Sequence, residues 1–293
     1  MQEKILFFFR GFDSPILDKI VEIFTMFGEQ TLIICLVVLI FWCIDKRKGE
    51  AVCTTMLFSI LTMGLLKAIV RSPRPFQVLD IEGKRIETAT GYSFPSGHTT
   101  TAASFYSGVA IVFRKRWISI LSAVIIVLVA LSRMYLGVHW PIDVAFGLIF
   151  GILMSFLLVP VMYRLFESPS KTKTFSLIFA ISTGVVGLVL AILLSFNIGD
   201  KVAWTDFYKT LALSGGAFFG FLWEEDKVNF KVDGSLSLRI LRFIVGVIGI
   251  IVIMASKKIL PSEEIFGFLR YFLTGFWAFG FYPILGKKLK LFI

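Results

Sequence analysis

Long apolar runs separated by short polar stretches dominate the sequence. The runs at 118–131, 142–159 and 175–196 carry almost no charge, and a helix needs about 20 mostly apolar residues to cross a bilayer core. The pattern predicts an all-α, polytopic transmembrane helical bundle with about nine spans. These spans are predicted at 20–44, 51–70, 95–113, 117–133, 140–163, 174–196, 207–223, 238–256 and 264–285.

Basic residues between the runs predict an orientation. With nine spans, alternate connections share a side, and one side receives the tight basic clusters at 46–48, 114–116 and 287–290. Loops rich in Lys and Arg remain in the cytoplasm, so we expect the N-terminus outside and the C-terminus inside. Residues 4–17 predict a short interfacial segment, because acidic residues interrupt any signal-peptide pattern.

The motifs described below all lie in the first part of the chain, which divides the sequence into two predicted regions. Residues 1–165 are predicted to form a catalytic phosphatase core with the N-terminal interfacial segment. Residues 166–293 carry no chemical motif and are predicted to form a C-terminal four-helix membrane extension of the same structural domain.

The composition is typical of a membrane protein and indicates which partners the chain binds. Hydrophobic residues make up 57% of the chain and the mean hydropathy is +0.84, whereas soluble domains are about 45–50% apolar. Basic loops account for most of the net charge of +10, so we expect the bilayer as a partner and no nucleic acid. Cys35, Cys43 and Cys53 lack metal or disulfide spacing and predict buried thiols. Glu224, Glu225 and Asp226 fall in a predicted cytoplasmic loop and are expected to be solvated.

Only two histidines are available for acid, base or nucleophilic chemistry. His98 opens the third predicted span and His139 opens the fifth. Counting spans places both on one membrane face, with Lys67 and Arg74 at the end of the second span and Arg133 at the end of the fourth. A single interfacial histidine is more often structural, and basic residues at span ends usually anchor a helix. The convergence of four segments is what favours a functional site.

Three basic residues and the N-terminus of one predicted helix have the chemistry that binds a phosphate group. Lys67, Arg71 and Arg74 are spaced by four and three, so a helical turn would present them together. Ser96 and Gly97 precede a helix, and the first N–H groups of a helix form an anion site. These residues predict a place where a phosphoryl group is held.

Arg133 and Asp143 complete the predicted site. Arg133 can contact a phosphate with two parallel N–H groups. Asp143 lies four residues after His139, so it can accept a hydrogen bond from one ring nitrogen while the other faces substrate. The ligand set that a zinc or di-metal hydrolase needs is absent from the sequence pattern, so we expect no metal and no other cofactor. Glu29, at the outer edge of the first span, is either a hydrogen-bonded structural acid or a contact to a polar headgroup.

The spacing of these residues resembles the signature of the type 2 phosphatidic acid phosphatase superfamily. That superfamily includes lipid phosphate phosphatases, glucose-6-phosphatase and the vanadium haloperoxidases. Its three parts are matched in order and spacing by Lys67 with Arg74–Pro75, by Pro95 to His98, and by Ser132–Arg133 with His139 and Asp143. The nine-span layout is similar to that of glucose-6-phosphatase and the sphingosine-phosphate phosphatases.

The resemblance implies a role for each residue. His139 would form a phosphohistidine, Asp143 would orient it, and His98 would protonate the leaving oxygen. The phosphoryl oxygens would be held by Lys67, Arg74, Ser96, Gly97 and Arg133. Arg71 lies outside the signature, and its involvement stays open.

We therefore expect a multi-pass protein of the cell membrane with its active site on the extracytoplasmic face. It would hydrolyse lipid phosphate monoesters or a polyprenyl diphosphate without a metal. Three alternatives remain open: a phosphatase for a soluble sugar phosphate, a lipid phosphotransferase, and a transporter of lipid phosphates without catalysis. The oligomeric state does not follow from the sequence.

Overall fold

A computed structural model describes residues 1–292, which form helices joined by loops and contain no β-strand. Short π-helical turns extend the third, tenth and twelfth helices. The helices are α1 Gln2–Arg10, α2 Pro15–Met26, α3 Gln30–Leu39, α4 Lys46–Val70, α5 Pro75–Val78, α6 Gly97–Phe113, α7 Arg116–Tyr135, α8 Pro141–Phe166, α9 Pro169–Ser195, α10 Lys201–Trp223, α11 Leu236–Ala255, α12 Glu264–Phe276 and α13 Tyr282–Lys288.

Each of the nine predicted runs coincides with a helix or with two consecutive helices. Five helices are long and apolar enough to cross a membrane unaided, beginning at residues 46, 116, 141, 169 and 236. The pair Pro15–Met26 and Gln30–Ile44 qualifies as a sixth span, bent by 47° at its break. The all-helical membrane class is thereby confirmed. Nine crossings and the orientation of the termini stay predictions.

The chain divides into two compact units. The first contains Met1–Ile34 and Val52–Pro160, and the second contains Cys35–Ala51 and Val161–Ile293. Every motif residue lies in the first unit. In the second unit, α10 packs against α9 and α12, and α11 packs against α12.

Glycines on α8 allow it to pack closely on α6 in the first unit. A Cβ on Gly147 would lie 2.8 Å from the hydroxyl of Thr100, and one on Gly151 would lie 2.7 Å from the Thr100 carbonyl. Glycines four residues apart permit this close backbone approach between membrane helices. The hydroxyl of Ser155 also donates to the Ser104 carbonyl at 2.7 Å. The N-terminal halves of α6 and α8, whose first turns carry motif residues, are thus held together.

The second unit buries a group of charges that sequence reasoning placed in solvent. Glu224 and Glu225 are 0% and 7% exposed, so the expectation of solvated side chains was wrong. Lys46 forms ion pairs with both carboxylates, and Arg47 pairs with Glu225 at 3.3 Å and with buried Glu50 at 3.2 Å. The acidic run continues from α10 as a π-helical turn, which folds these carboxylates against the start of α4 instead of into a loop.

Candidate active site

The end of α4 separates three basic residues that sequence spacing had grouped. The helix ends at Val70, ahead of Pro73 and Pro75, and Arg71 has a left-handed backbone with φ of 52°. Lys67 and Arg74 are buried, whereas Arg71 is exposed and its Nε donates to the Ala68 carbonyl at 2.9 Å. The helical turn that would have presented all three residues together does not form.

Arg74 is held rigidly by backbone carbonyls. It is 2% exposed, and its guanidinium donates to Thr90 at 2.7 Å, Val138 at 2.8 Å and Gly91 at 3.1 Å. Lys67 donates in the same region, to the carbonyl of Tyr92. The loop before α6 therefore positions both cations.

The nucleophile predicted from the sequence lies beside this guanidinium. Gly137, with φ of 68°, ends α7 and turns the chain toward His139, which is 2% exposed. His139 Nε2 lies 3.1 Å from Arg74 Nη1. A guanidinium only donates hydrogen bonds, so Nε2 accepts and the ring proton is on Nδ1. The lone pair of Nε2 therefore faces the Arg74 guanidinium.

Asp143 faces the opposite ring nitrogen. Its Oδ2 lies 3.4 Å from His139 Nδ1 and accepts from the backbone N–H of Trp140 at 2.9 Å. The hydroxyl of Ser93 donates to the same oxygen at 2.5 Å and lies 3.5 Å from His139 Nδ1. Sequence reasoning missed Ser93, although its position two residues before Pro95 was the available signal.

Burial and nearby positive charges favour the neutral form of His139. Burial lowers the pKa of His139 well below its ordinary range, and the positive charges of Arg74, Lys67 and Arg133 lower it further. A neutral imidazole retains the lone pair that a nucleophile needs. The same charges would favour an anion beside His139.

Arg133, His98 and Asp143 each have a buried polar atom without a hydrogen bond, which for Asp143 is Oδ1. Arg133 is 0% exposed and its Nη1 donates to Thr25 at 2.7 Å, whereas Nε and Nη2 have no hydrogen bond. His98 Nε2 is likewise buried and without a partner. Buried polar atoms are normally satisfied, so these atoms mark a place for a polar ligand.

The start of α6 supplies the remaining predicted contacts. Ser96 is the N-cap residue, and its N–H donates to the Asp143 carbonyl at 3.1 Å, which ties α6 to α8. Gly97 leaves the first turn open, because the nearest side chain to a Cβ there would be Met63 at 3.8 Å. The first N–H groups of α6 have no partner within the helix.

Glu29 lies in the break between α2 and α3 and pairs with the Arg85 guanidinium at 2.8 Å. Its neighbour Gly28 contacts α6 closely, since a Cβ there would lie 2.9 Å from the His98 carbonyl. Arg85 had no motif to identify it. The pair connects the bend of the first predicted span to the loop over the site.

Sequence relatives are lipid phosphatases and diphosphatases by name. The chain is 28% identical to the lipid A 1-phosphatase of Rhizobium etli, over 48% of this chain and 72% of that protein. It is 31% identical to the undecaprenyl-diphosphatase of Sulfolobus acidocaldarius, over 40% of this chain and 56% of that protein. A crystal structure of a Bacillus subtilis phosphatidylglycerolphosphate phosphatase aligns with a TM-score of 0.49 at 27% identity, over 56% of this chain and 85% of that one.

Two family models cover most of the chain. The model described as the PAP2 superfamily matches residues 50–167, which include every signature residue. The model described as the transmembrane extension of PAP2 superfamily phosphatases matches residues 208–292. Together with the apolar helices, the second match identifies an integral membrane protein. Because both models describe one superfamily and together span more than two thirds of the sequence, the chain belongs to the PAP2 superfamily of phosphatases.

Proposed function

We propose that this protein hydrolyses lipid phosphate monoesters or a polyprenyl diphosphate through a phosphohistidine on His139, without a metal. The observation that carries the proposal is the orientation of His139. Its Nε2 faces Arg74 at 3.1 Å, and its Nδ1 faces the Asp143 carboxylate at 3.4 Å. The lipid phosphatases among the sequence relatives support a lipid substrate.

In the first step, the Nε2 lone pair of His139 attacks phosphorus and forms an N–P bond. The bond from phosphorus to the leaving oxygen breaks, and that oxygen takes a proton from His98, which binds this proton when the phosphate dianion enters the site. The phosphorylated imidazole keeps its Nδ1 proton and carries a positive charge, which Asp143 stabilises.

In the second step, water attacks the phosphohistidine and gives its proton to the now neutral His98. The N–P bond breaks, its electron pair returns to Nε2, and inorganic phosphate leaves. His98 is protonated again, so the cycle closes without any other reactant.

Lys67, Arg74 and Arg133 are the cations for the phosphoryl oxygens, with the hydroxyl of Ser96 and the backbone N–H of Gly97. Positively charged groups fixed in advance stabilise the charge that spreads over these oxygens in the transition state. Arg133 offers two unpartnered nitrogens for this purpose. Arg71 and Glu29 have no assigned role in the chemistry.

We place the active site on the extracytoplasmic face of the cell membrane, with the N-terminus outside and the C-terminus inside. The asymmetry of basic residues between the predicted loops supports this orientation. Labelling of single cysteines introduced at Thr90 and at Ser170 tests it in intact cells. Only the first should react with an impermeant reagent.

Phosphate release from detergent-dispersed phosphatidic acid and undecaprenyl diphosphate, with EDTA present, tests the activity. We expect turnover by the wild type and at least about a thousandfold loss in His139→Ala, since removing a nucleophile costs this much or more. Turnover of a soluble sugar phosphate but of neither lipid would overturn the lipid assignment.

A further inference from the structure

Arg270, on α12 of the second unit, is a buried cation without a counter-charge. It is 8% exposed, and its guanidinium forms no hydrogen bond or ion pair with any of residues 1–292. Its Nε is a fully buried donor without an acceptor. Basic side chains that only anchor a helix extend toward water, whereas Arg270 is enclosed by protein. Since buried charges are normally paired, Arg270 indicates a place where an anion binds.

Lys209, on α10, brings a second positive charge to the same place. The two helices pack together, and Lys209 Nζ lies 6.0 Å from the centre of the Tyr271 ring, which Arg270 Cζ faces at 5.6 Å. The Lys209 ammonium also has no hydrogen-bond acceptor in the part of the chain that the structure describes. Two cations beside one ring repel each other unless an anion binds to both.

Tyr208 adds a neutral donor next to these cations. It is 2% exposed, and its hydroxyl approaches α12 at Gly267, where a Cβ would lie 2.5 Å from the oxygen. Gly267 lies one turn before Arg270, and helical side chains lean toward the turn before them. The glycine therefore admits the hydroxyl to the turn over which the Arg270 side chain lies.

The acids near this cluster do not neutralise it. Asp206 and Glu264 are the two carboxylates close enough to influence the charge of Lys209. Glu264 pairs with Lys201 at 2.9 Å, and Asp206 has a contact with another residue. Neither carboxylate forms an ion pair with Lys209 or Arg270, so the cluster keeps its positive charge.

We propose that Arg270, Lys209 and Tyr208 bind a phosphate group within the second unit. A guanidinium can donate two parallel N–H groups to phosphate oxygens, and an ammonium adds a point charge. A phosphate can carry two negative charges, which matches two cations, whereas a carboxylate or chloride carries one. Lys209 is half-buried, which leaves one side of the site open. No step of the reaction proposed above uses this site.

The phosphate can belong to an anionic membrane lipid or be a free ion, and two probes separate these sources. Phosphatidylglycerol bound to the full-length chain in detergent is counted by native mass spectrometry, and inorganic phosphate is titrated calorimetrically. We expect Arg270→Gln and Lys209→Gln each to lose one tightly bound ligand per chain relative to the wild type, because each removes a charge-assisted hydrogen bond. Loss of the lipid alone identifies a lipid headgroup, and loss of the ion alone identifies free phosphate.

Lys201→Gln is the matched control. Lys201 is on α10 like Lys209, but its ammonium already pairs with Glu264, so this variant should bind both probes as the wild type does. A loss in Lys201→Gln equal to that in Arg270→Gln would show a general effect of charge and overturn the site. Unchanged binding of both probes in Arg270→Gln and Lys209→Gln would overturn it as well.

Thermal stability separates binding from a structural role for Arg270. An unpaired buried charge destabilises a fold, so without ligand Arg270→Gln should melt at the wild-type temperature or above it. The bound probe should raise the melting temperature of the wild type but not that of the variant. A lower melting temperature of Arg270→Gln without ligand would assign Arg270 to the fold and contradict the proposal. Neither probe is a substrate of the proposed reaction, so these outcomes do not depend on the proposed function.

Discussion

Ser93→Ala should slow catalysis although Ser93 is outside the signature motifs. The Ser93 hydroxyl donates to Asp143 Oδ2 at 2.5 Å, and the same oxygen faces Trp140 N at 2.9 Å and His139 Nδ1 at 3.4 Å. Ser93 is thus the closest of three groups that fix the carboxylate. Without it, Asp143 would rotate away from the ring that it orients.

The size of the effect follows from the kind of hydrogen bond. A hydrogen bond to a charged group contributes about 1.5–3 kcal/mol, and each 1.36 kcal/mol is about tenfold in rate. In the proposed mechanism the positive charge on His139 develops only as the N–P bond forms, so most of the loss should appear in kcat. We expect kcat to fall about 10–100-fold, with KM nearly unchanged.

The assay is phosphate release at saturating lipid, with Ser155→Ala as the control. Ser155 is equally buried and its hydroxyl donates to the Ser104 carbonyl at 2.7 Å, away from the catalytic residues. The control should keep kcat within about twofold. If Ser93→Ala also kept wild-type kcat while Asp143→Asn did not, the backbone N–H of Trp140 would suffice to orient the carboxylate.

Three further changes have defined outcomes. Thr25→Val removes the hydroxyl that accepts from Arg133 at 2.7 Å and should lower kcat/KM about tenfold, whereas Thr25→Ser should restore it. Gly151→Leu should lower the free energy of unfolding by about 1–3 kcal/mol, because a Cβ at Gly151 would lie 2.7 Å from the Cβ of Ala103. Gly184→Leu is the control and should leave the free energy of unfolding unchanged, because no atom lies within 4 Å of a Cβ at Gly184. Burial raises the pKa of Glu225, but the Lys46 and Arg47 charges outweigh it and lower that pKa, so Glu225→Gln should reduce the melting temperature at pH 7. This deficit should shrink as the pH falls through the pKa of Glu225, because protonation then removes the same ion pairs from the wild type; a deficit independent of pH would contradict the ion-pair account.

Sequence reasoning predicted the helices and the family well, because both depend on local patterns. The nine apolar runs coincide with helices, and the spacing of Lys67, Arg74, His98, His139 and Asp143 resembles the signature of the superfamily whose models match. Helical periodicity and fixed motif spacing need no knowledge of tertiary contacts.

Contacts between distant segments were the part that could not be predicted. Ser93 and Thr25 approach the site only because α2, the loop before α6 and the start of α8 fold together. Helical spacing grouped Arg71 with Lys67 and Arg74, but the end of α4 turns the Arg71 side chain outward. Glu224 is charged and follows a predicted span, so the sequence favoured a solvated side chain. It is buried in an ion pair with Lys46, which is distant in the sequence.

Direct detection of the phosphorylated residue tests the central claim most directly. The protein would be mixed with undecaprenyl diphosphate or phosphatidic acid, quenched in alkali, digested and examined by mass spectrometry. We expect a phosphoryl group on the peptide that contains His139, and none in His139→Ala. Release of phosphate by His139→Ala at the wild-type rate, with no phosphorylated histidine in either protein, would contradict the account.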